Sequence, residues 1–430
     1  MEETLGTLRI NAQRLYASLE ELGRIGSYEV DTSNDAGSHD GNLRGVRRLT
    51  LTDEDQQGRD LVSGWFREAG LAVRIDQIGN VYGHRPGKDD SLPPVLVGSH
   101  IDSVPTAGRF DGCLGVLAGL EAIRTLNEQR IDTVHPLEVA FFTEEEGCRF
   151  GTDMLGSAVA TGRISLEDGL AIQDAAGLSV GDELARIGYD GAHAVGTLKP
   201  HAYVECHIEQ GPHLIRGDMD LGVVTGVQCI SWQELSLIGR SAHAGTTPIS
   251  YRADAGLVAA KINVLMRNMC DSGDYGEMRA TMGVMKPHPG AINVIPGRMQ
   301  VSIDLRNPDD EAMARSEEDL RSRAEELAAQ HAVTLNWRQT ARTQMVPFDK
   351  NVQKIISDTA AAFDLKQERL ISGAGHDAQE WARICPTAMI FVPGEQDGIS
   401  HNPRELSTIE QCANGANVLL QAMLRLSNGA

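Results

Sequence analysis

Paired cysteines, long apolar runs and a surplus of basic charge are all missing from this sequence, and each absence removes a class of protein. Seven cysteines (Cys113, Cys148, Cys206, Cys229, Cys270, Cys385 and Cys412) are scattered singly, with an odd total and no C-x-x-C pair. That argues against a disulfide framework or a cysteine zinc knuckle and for a reducing, cytoplasmic setting. No stretch approaches the roughly 18 consecutive apolar residues that a membrane span needs. The first 25 residues carry acids within a helical pattern (Leu5, Leu8, Leu15, Leu19, Leu22), so they read as neither signal peptide nor membrane anchor. Basic residues number 39 against 60 acidic ones, a net charge of −21 that repels nucleic-acid backbones and anionic membranes. A G-x-S-x-G nucleophile elbow is also absent, and Cys113 and Cys148 read as small buried thiols without a histidine partner nearby in sequence. No internal repeat or low-complexity tract is visible. What remains is a small-molecule-handling protein, and 430 residues with 41% hydrophobic content are enough for two or three cored units.

The pattern along the chain is an alternation of strands and helices. Residues 26–50, rich in Gly, Ser, Asp and Asn, read as an irregular connection. A helix follows, with Thr52 and Asp55 as its capping signal, Leu61, Val62, Trp65 and Phe66 at helical spacing, and Gly70 as its stop. Strands are expected at 71–75, 81–84, 94–97, 137–142 and 202–206, with a helix of small apolar residues at 112–126 that can pack closely on a sheet. Between 227 and 341 the order becomes β-α-β-β-α-β, that of a ferredoxin-like sandwich. Helices at 351–363, 378–384 and 409–427 and a strand at 388–392 then resume the first style. The expectation is an α/β domain with a mainly parallel sheet, built from 1–226 and 342–430, into which 227–341 is inserted.

Four segments place imidazoles and carboxylates just past the ends of expected strands. They are Gly98-Ser99-His100-Ile101-Asp102 with Asp111-Gly112 downstream, Thr143-Glu144-Glu145-Glu146-Gly147, His207-Ile208-Glu209-Gln210-Gly211-Pro212, and Gly398-Ile399-Ser400-His401-Asn402-Pro403. Strand carboxyl ends in an open parallel sheet converge on one crevice. Taken singly, a histidine after a strand is more often structural and adjacent glutamates are more often a solvated turn. Taken jointly, four such segments aimed at one crevice point to a divalent metal and a metallohydrolase.

The set HID…DG, EEEGCRF, HIEQGP, SAHAGTTP, NVIPG, DLRN, SGAGHDA and SHNP resembles the hydantoinase/carbamoylase group of two-metal amidohydrolases, within the wider aminoacylase and carboxypeptidase-G superfamily. It runs in order from about residue 40 to 425. The resemblance implies two divalent metals held by His100, Asp111, Glu146, His207 and His401, with Asp111 bridging. Zinc comes first and Mn, Co or Ni suit the same donors. It implies that the Asp102 carboxylate orients the His100 imidazole and that Glu145 is the general base. Glu144 gains no role and reads as a strand-end surface charge.

In the insert the resemblance assigns His243 to the developing oxyanion, reaching over a partner subunit's active site, though a loop histidine capping the next helix is the plainer reading. It assigns Asn293 and Gln210 to substrate and Arg306 to its α-carboxylate; a strand-end salt bridge is the alternative for Arg306. Residues 373–377 form a glycine-rich loop before a helix, with N–H groups that can meet an anion and His376 as a further candidate contact. The implied activity is cleavage of the ureido C–N bond of an N-carbamoyl-L-amino acid by a homodimer joined through the insert. Allantoate, ureidoglycolate and 3-ureidopropionate carry the same two groups. A dipeptidase or aminoacylase on the same scaffold is the near rival, and a non-catalytic binding protein the rival from another class.

Overall fold

The structure, a computed structural model, describes residues 7–30 and 43–429. It divides into two compact units, Met1–Gly226 with Pro347–Ala430, and Val227–Val346. The expected helical position Leu5 and the middle of the expected connection (31–42) lie outside the described residues.

The larger unit is α/β. Its sheet runs in the order Leu221–Val227, Thr387–Val392, Ala202–Ile208, Val95–His100, Leu137–Phe142, Val81–Arg85, Ala72–Ile75. The four central strands from Thr387–Val392 to Leu137–Phe142 are parallel to one another. Leu221–Val227, Val81–Arg85 and Ala72–Ile75 are antiparallel to their neighbours, so the sheet is mixed rather than mainly parallel. The reason is local. Residues 71–85 form a hairpin turned at Asp76–Asn80, too short for the crossover that parallel pairing requires. The central strands are buried along their whole length, as expected where helices cover both faces of a sheet.

One face carries helices Cys113–Glu128 and Ile409–Asn428. The first lies close because Gly115 and Gly119 face the strands: a Cβ at Gly115 would stand 2.5 Å from the Cys206 carbonyl oxygen, and one at Gly119 would stand 2.8 Å from Val97 Cγ2. The other face carries Asp377–Trp381, whose Trp381 ring packs on Phe142 and Tyr203 at 5.6 and 5.9 Å. The expected helix at 378–384 is thus a short one. The expected irregular connection contains two paired strands, Ser27–Glu29 and Arg44–Val46. Strands Leu221–Val227 and Gln367–Ser372 and helices Leu155–Thr161, Leu166–Ala171 and Val180–Ile187 were not among the expected elements and are additions. No helix among the described residues is long and apolar enough to cross a membrane.

The smaller unit is an antiparallel sheet in the order Arg279–Thr281, Arg298–Asn307, Cys229–Ile238, Thr334–Thr343, with Met285–His288 also on Arg298–Asn307. Helices Ala255–Ser272 and Asp310–Gln330 cover one face. Strand Arg298–Asn307 alternates exposed and buried positions over its first half, sending Met299, Val301, Ile303 and Leu305 into a core with Val258, Ile262, Met266 and Leu320. That unit therefore owns a complete hydrophobic core.

Candidate metal centre

Strand geometry brings the larger unit's candidates together. Val95–His100 and Leu137–Phe142 pair in register from Val95↔Leu137 to His100↔Phe142, so His100 and the turn starting at Thr143 leave the sheet side by side. On the other flank Phe391 is opposite His207, and Val95–Val97 pair with Ala202–Val204. His100 is the last residue of its own strand and His207 the last but one of its own, where the sequence suggested that both follow their strands.

Asp111 is the centre. Its Oδ1 faces His207 Nε2 at 3.2 Å and His100 Nε2 at 3.5 Å; its Oδ2 faces His401 Nε2 at 3.7 Å. Glu146 Oε2 lies 3.3 Å from the same His401 nitrogen. Two groupings able to hold a cation therefore share Asp111: His100 with His207, and Glu146 with His401. The first is sealed. The second is open on one side, where the His401 side chain is 51% exposed.

Three observations test whether these residues suit divalent ions. His100 Nδ1 donates to the Asp102 carbonyl at 3.0 Å and His207 Nδ1 to the Ile208 carbonyl at 2.8 Å, which turns each Nε2 lone pair toward Asp111. Glu146 Oε1 is buried with no hydrogen-bond partner among the described residues, a polar atom that a cation would satisfy. The protonation pattern points the same way. Burial pulls the His100 imidazole down, but Glu145 and Asp111 outweigh it and hold it well above its usual range. Burial pushes the Asp111 carboxyl up, but His207 and His100 hold it far below. Hydrogen bonding to Glu146 lifts His401 to about 9. The pocket thus draws positive charge onto its imidazoles, charge that a divalent cation supplies on displacing those protons. The donor set fits.

Several expectations need correcting. The His100 imidazole is oriented by the backbone carbonyl of Asp102, not by its carboxylate, which stands 3.7 Å away. That carboxylate instead accepts the amides of Glu145 and Glu146 at 3.3 and 3.4 Å, pinning the glutamate turn to the His100 loop. Glu144 is not a surface charge. It is buried, accepts the amides of Phe150 (2.6 Å) and Arg149 (3.1 Å), and burial followed by the Asp102 charge pushes its carboxyl up to about 8. Cys148 is exposed rather than buried, whereas Cys113 is buried. The N–H of Ala378, in the first turn of the helix after the glycine-rich loop, is taken at 2.9 Å by buried Glu205, so the anion at this helix start is internal. His376 is buried edge-on against the His207 ring at 4.5 Å and bonds to Ser372, a support beneath a candidate ligand.

Glu145 lies 3.4 Å from His100 Nε2 yet belongs to neither cation grouping. Burial, offset by the His100 charge, raises its carboxyl well above the usual range. Gln210 donates from Nε2 to Asp111 Oδ2 at 2.7 Å, while its Oε1 is buried and without a partner among the described residues. Glu144, Gln210 and His401 all take positive φ (55°, 58° and 54°), the kind of backbone strain that collects at functional sites.

Sequence reasoning missed Glu205, Ser400 and Glu405. Glu205 had a signal: an acid inside an apolar strand, two residues from His207 and so on the same face. Its carboxylate is satisfied by Ser99 (2.7 Å), Tyr203 (3.1 Å) and Ala378, so its grouping with His207 and His376 is structural support rather than another cation site.

In the smaller unit, His243 pairs opposite Val294 and the Ala244 amide donates to the Asn293 carbonyl at 3.0 Å, so His243 and Asn293 are neighbours, both exposed. His243 does not cap the next helix; Asp254 does. Arg306 lies on Arg298–Asn307 and pairs with Asp304 at 3.0 Å.

The profile of peptidase family M20/M25/M40 matches residues 96–425. An N-carbamoyl-L-amino-acid amidohydrolase of Rhizobium meliloti is 40% identical over 416 residues, 97% of this chain and 96% of that one. An N-carbamoyl-L-amino acid amidohydrolase of Geobacillus stearothermophilus is 38% identical over 426 residues, 98% of this chain and 100% of that one. Among solved structures, a hydantoinase/carbamoylase family amidase from Burkholderia multivorans superposes with a TM-score of 0.89 at 42% identity, covering 98% of this chain and 99% of that one.

Proposed function

We propose, from the premise that this chain belongs to peptidase family M20/M25/M40, that it is a two-metal amidohydrolase cleaving the carbamoyl C–N bond of an N-carbamoyl-L-amino acid, with release of ammonia and carbon dioxide. The observation that carries the reading is the pair of cation groupings sharing Asp111, with the Glu145 carboxylate beside them and in neither.

His100, Asp111 and His207 would hold one ion, and Asp111, Glu146 and His401 the other; zinc suits the donors, as do Mn, Co and Ni. When bound, such a pair supplies Lewis-acid polarisation of the scissile carbonyl and a lowered pKa for the attacking water. Glu145, buried and short of charge stabilisation, accepts the water's proton and delivers it to the departing nitrogen. Asp102 keeps Glu145 and Glu146 in place through their amides. Gln210 Oε1 is an unpartnered acceptor suited to a ureido N–H, a group that an ester or a simple carboxylate lacks.

In this reading the insert is a ferredoxin-like lid and dimerisation domain. His243 Nδ1 accepts the amides of Gly245 (3.0 Å) and Thr246 (3.2 Å), which leaves its proton on Nε2, the atom that would donate to an oxyanion. Asn293 beside it offers an amide, and Arg306 a guanidinium able to exchange Asp304 for a substrate carboxylate. In this reading a homodimer forms through the insert and His243 serves the partner's site. Seven free cysteines suit a cytoplasmic setting.

The test is a substrate panel, read by release of the free amino acid for every form of that acid and by ammonia for the ureido substrates, on protein reconstituted separately with Zn, Mn, Co and Ni. N-carbamoyl, N-acyl and dipeptide forms of one amino acid are compared, together with allantoate, ureidoglycolate and 3-ureidopropionate. Ammonia release fastest from an N-carbamoyl-L-amino acid supports the proposal. Faster turnover of the N-acyl or dipeptide form overturns it.

A further inference from the structure

Both cation groupings depend on where Asp111 sits, and Asp111 is held by residues 289 and 294 positions away in sequence. Glu405 is buried, four residues after His401. Its Oε1 accepts the backbone amides of Phe110 (2.9 Å) and Asp111 (3.1 Å). Its Oε2 meets Ser400 Oγ at 2.9 Å, and that hydroxyl also meets Asp111 Oδ2 at 2.6 Å. A Cβ on Gly108 would stand 2.4 Å from Glu405 Cβ, so the strand-to-helix loop lies directly on this side chain. One carboxylate therefore grips the backbone of Asp111, and through Ser400 its side chain, from within the loop that carries His401.

We propose that Glu405 and Ser400 are a positioning pair that sets the shared Asp111 carboxylate against His401 and so fixes the separation of the two metal positions. Neither touches substrate. The inference rests on reading Asp111 and His401 as metal ligands. Without Ser400 the Asp111 carboxylate loses one of its two short hydrogen bonds and pivots about Gln210. Without Glu405 the loop bearing Asp111 and the loop bearing His401 lose their common tie.

The experiment titrates metal-free protein with Zn²⁺ against a chelating dye, records the visible absorption of the Co²⁺ form, and follows urea unfolding of the metal-free form. Wild type is measured first: two ions per chain are required by the ligand assignment, and a failure there sinks that assignment before any variant is made. Given two ions, Ser400→Ala should weaken one of them about 10-fold and alter the Co²⁺ spectrum while leaving the metal-free urea midpoint in place. Orienting partners of ligands typically contribute about 10- to 100-fold to metal affinity. Glu405→Ala should weaken binding about 100-fold. Glu405→Gln should bind within a few-fold of wild type, because the amide oxygen still accepts both backbone N–H groups and the amide nitrogen still meets Ser400. Wild-type affinity and Co²⁺ spectrum in Ser400→Ala would overturn the proposal, whatever the stability of the Glu405 variants. Equal losses in Glu405→Gln and Glu405→Ala would overturn the role given to Glu405.

Discussion

Gly112→Ala tests how tightly this centre is built. Gly112 sits between Asp111 and the helix Cys113–Glu128 with φ 64° and ψ −48°, and the Cys113 amide bonds back to the Asp111 carbonyl at 2.6 Å. That is the rare, strained form of the γ-turn, which glycine tolerates and a residue with a Cβ does not. An added Cβ would lie 2.4 Å from both Cε1 and Nε2 of His100 and 2.5 Å from Cδ2. The ring cannot step aside, because it is 1% exposed and tied through Nδ1 to Asp102. Backbone strain of about 1–3 kcal/mol and overpacking of about 1–3 kcal/mol add to about 2–6 kcal/mol. Gly162→Ala is the matched control: φ is 86° but nothing lies within 4 Å of the added Cβ. It should lose only the left-handed penalty, about 1–2 kcal/mol. Urea unfolding of metal-free protein compares the two, and Zn²⁺ titration reads the ion held by His100. Gly112→Ala should be the less stable variant and should bind that ion at least 10-fold more weakly. Equal stability of the two variants with unchanged Zn²⁺ affinity would refute the close approach of helix start and imidazole.

Glu145→Gln should keep both metals and lose about 10²- to 10⁴-fold in turnover, whereas Glu146→Gln should lower occupancy of one metal; near wild-type turnover in Glu145→Gln removes it as the base. Arg306→Lys should raise KM steeply for carboxylated substrates and little for their amides, and equal effects on both remove Arg306 from carboxylate binding. Mixing inactive His243→Ala with inactive Glu145→Gln should restore activity once subunits exchange; demonstrated exchange without activity puts His243 in its own chain's site or in none. Burial raises the Asp76 carboxyl from 3.8 to about 6, so stability present below its unfolded value is lost as pH rises through about 6. Asp76→Asn should accordingly lessen the fall in stability between pH 4 and 7.5, by up to about 3 kcal/mol; an unchanged pH slope in the variant contradicts the shift.

Local pattern made much of the fold legible. The strand Leu137–Phe142 and the helix Asp310–Gln330 lie at the bounds their residues suggest, because a six-residue run apolar everywhere but Glu138 and a long amphipathic stretch each stand out from the turns around them. The strand Leu221–Val227 carries no sign of its direction, since pairing sense depends on the connection and the neighbour, not on the strand's own residues, whereas the short segment 76–80 between the expected strands 71–75 and 81–84 leaves room only for a hairpin.

The same division holds at the centre. Sequence by itself determined which chemistry is available: imidazoles and carboxylates just past buried strands, in segments whose order and spacing match a family, with a charge that turns away nucleic acid. Only the tertiary structure decided which oxygen of Asp111 faces which imidazole, that a carbonyl rather than a carboxylate orients His100, that Glu144 is buried, and that Glu405 reaches back across the chain to the Asp111 amide. The physical reason is range. Hydrophobic period and strand-end placement are set by neighbours a few residues apart. A hydrogen bond between residues 294 positions apart exists only once the sheet has set both loops at one edge and a glycine has let them touch.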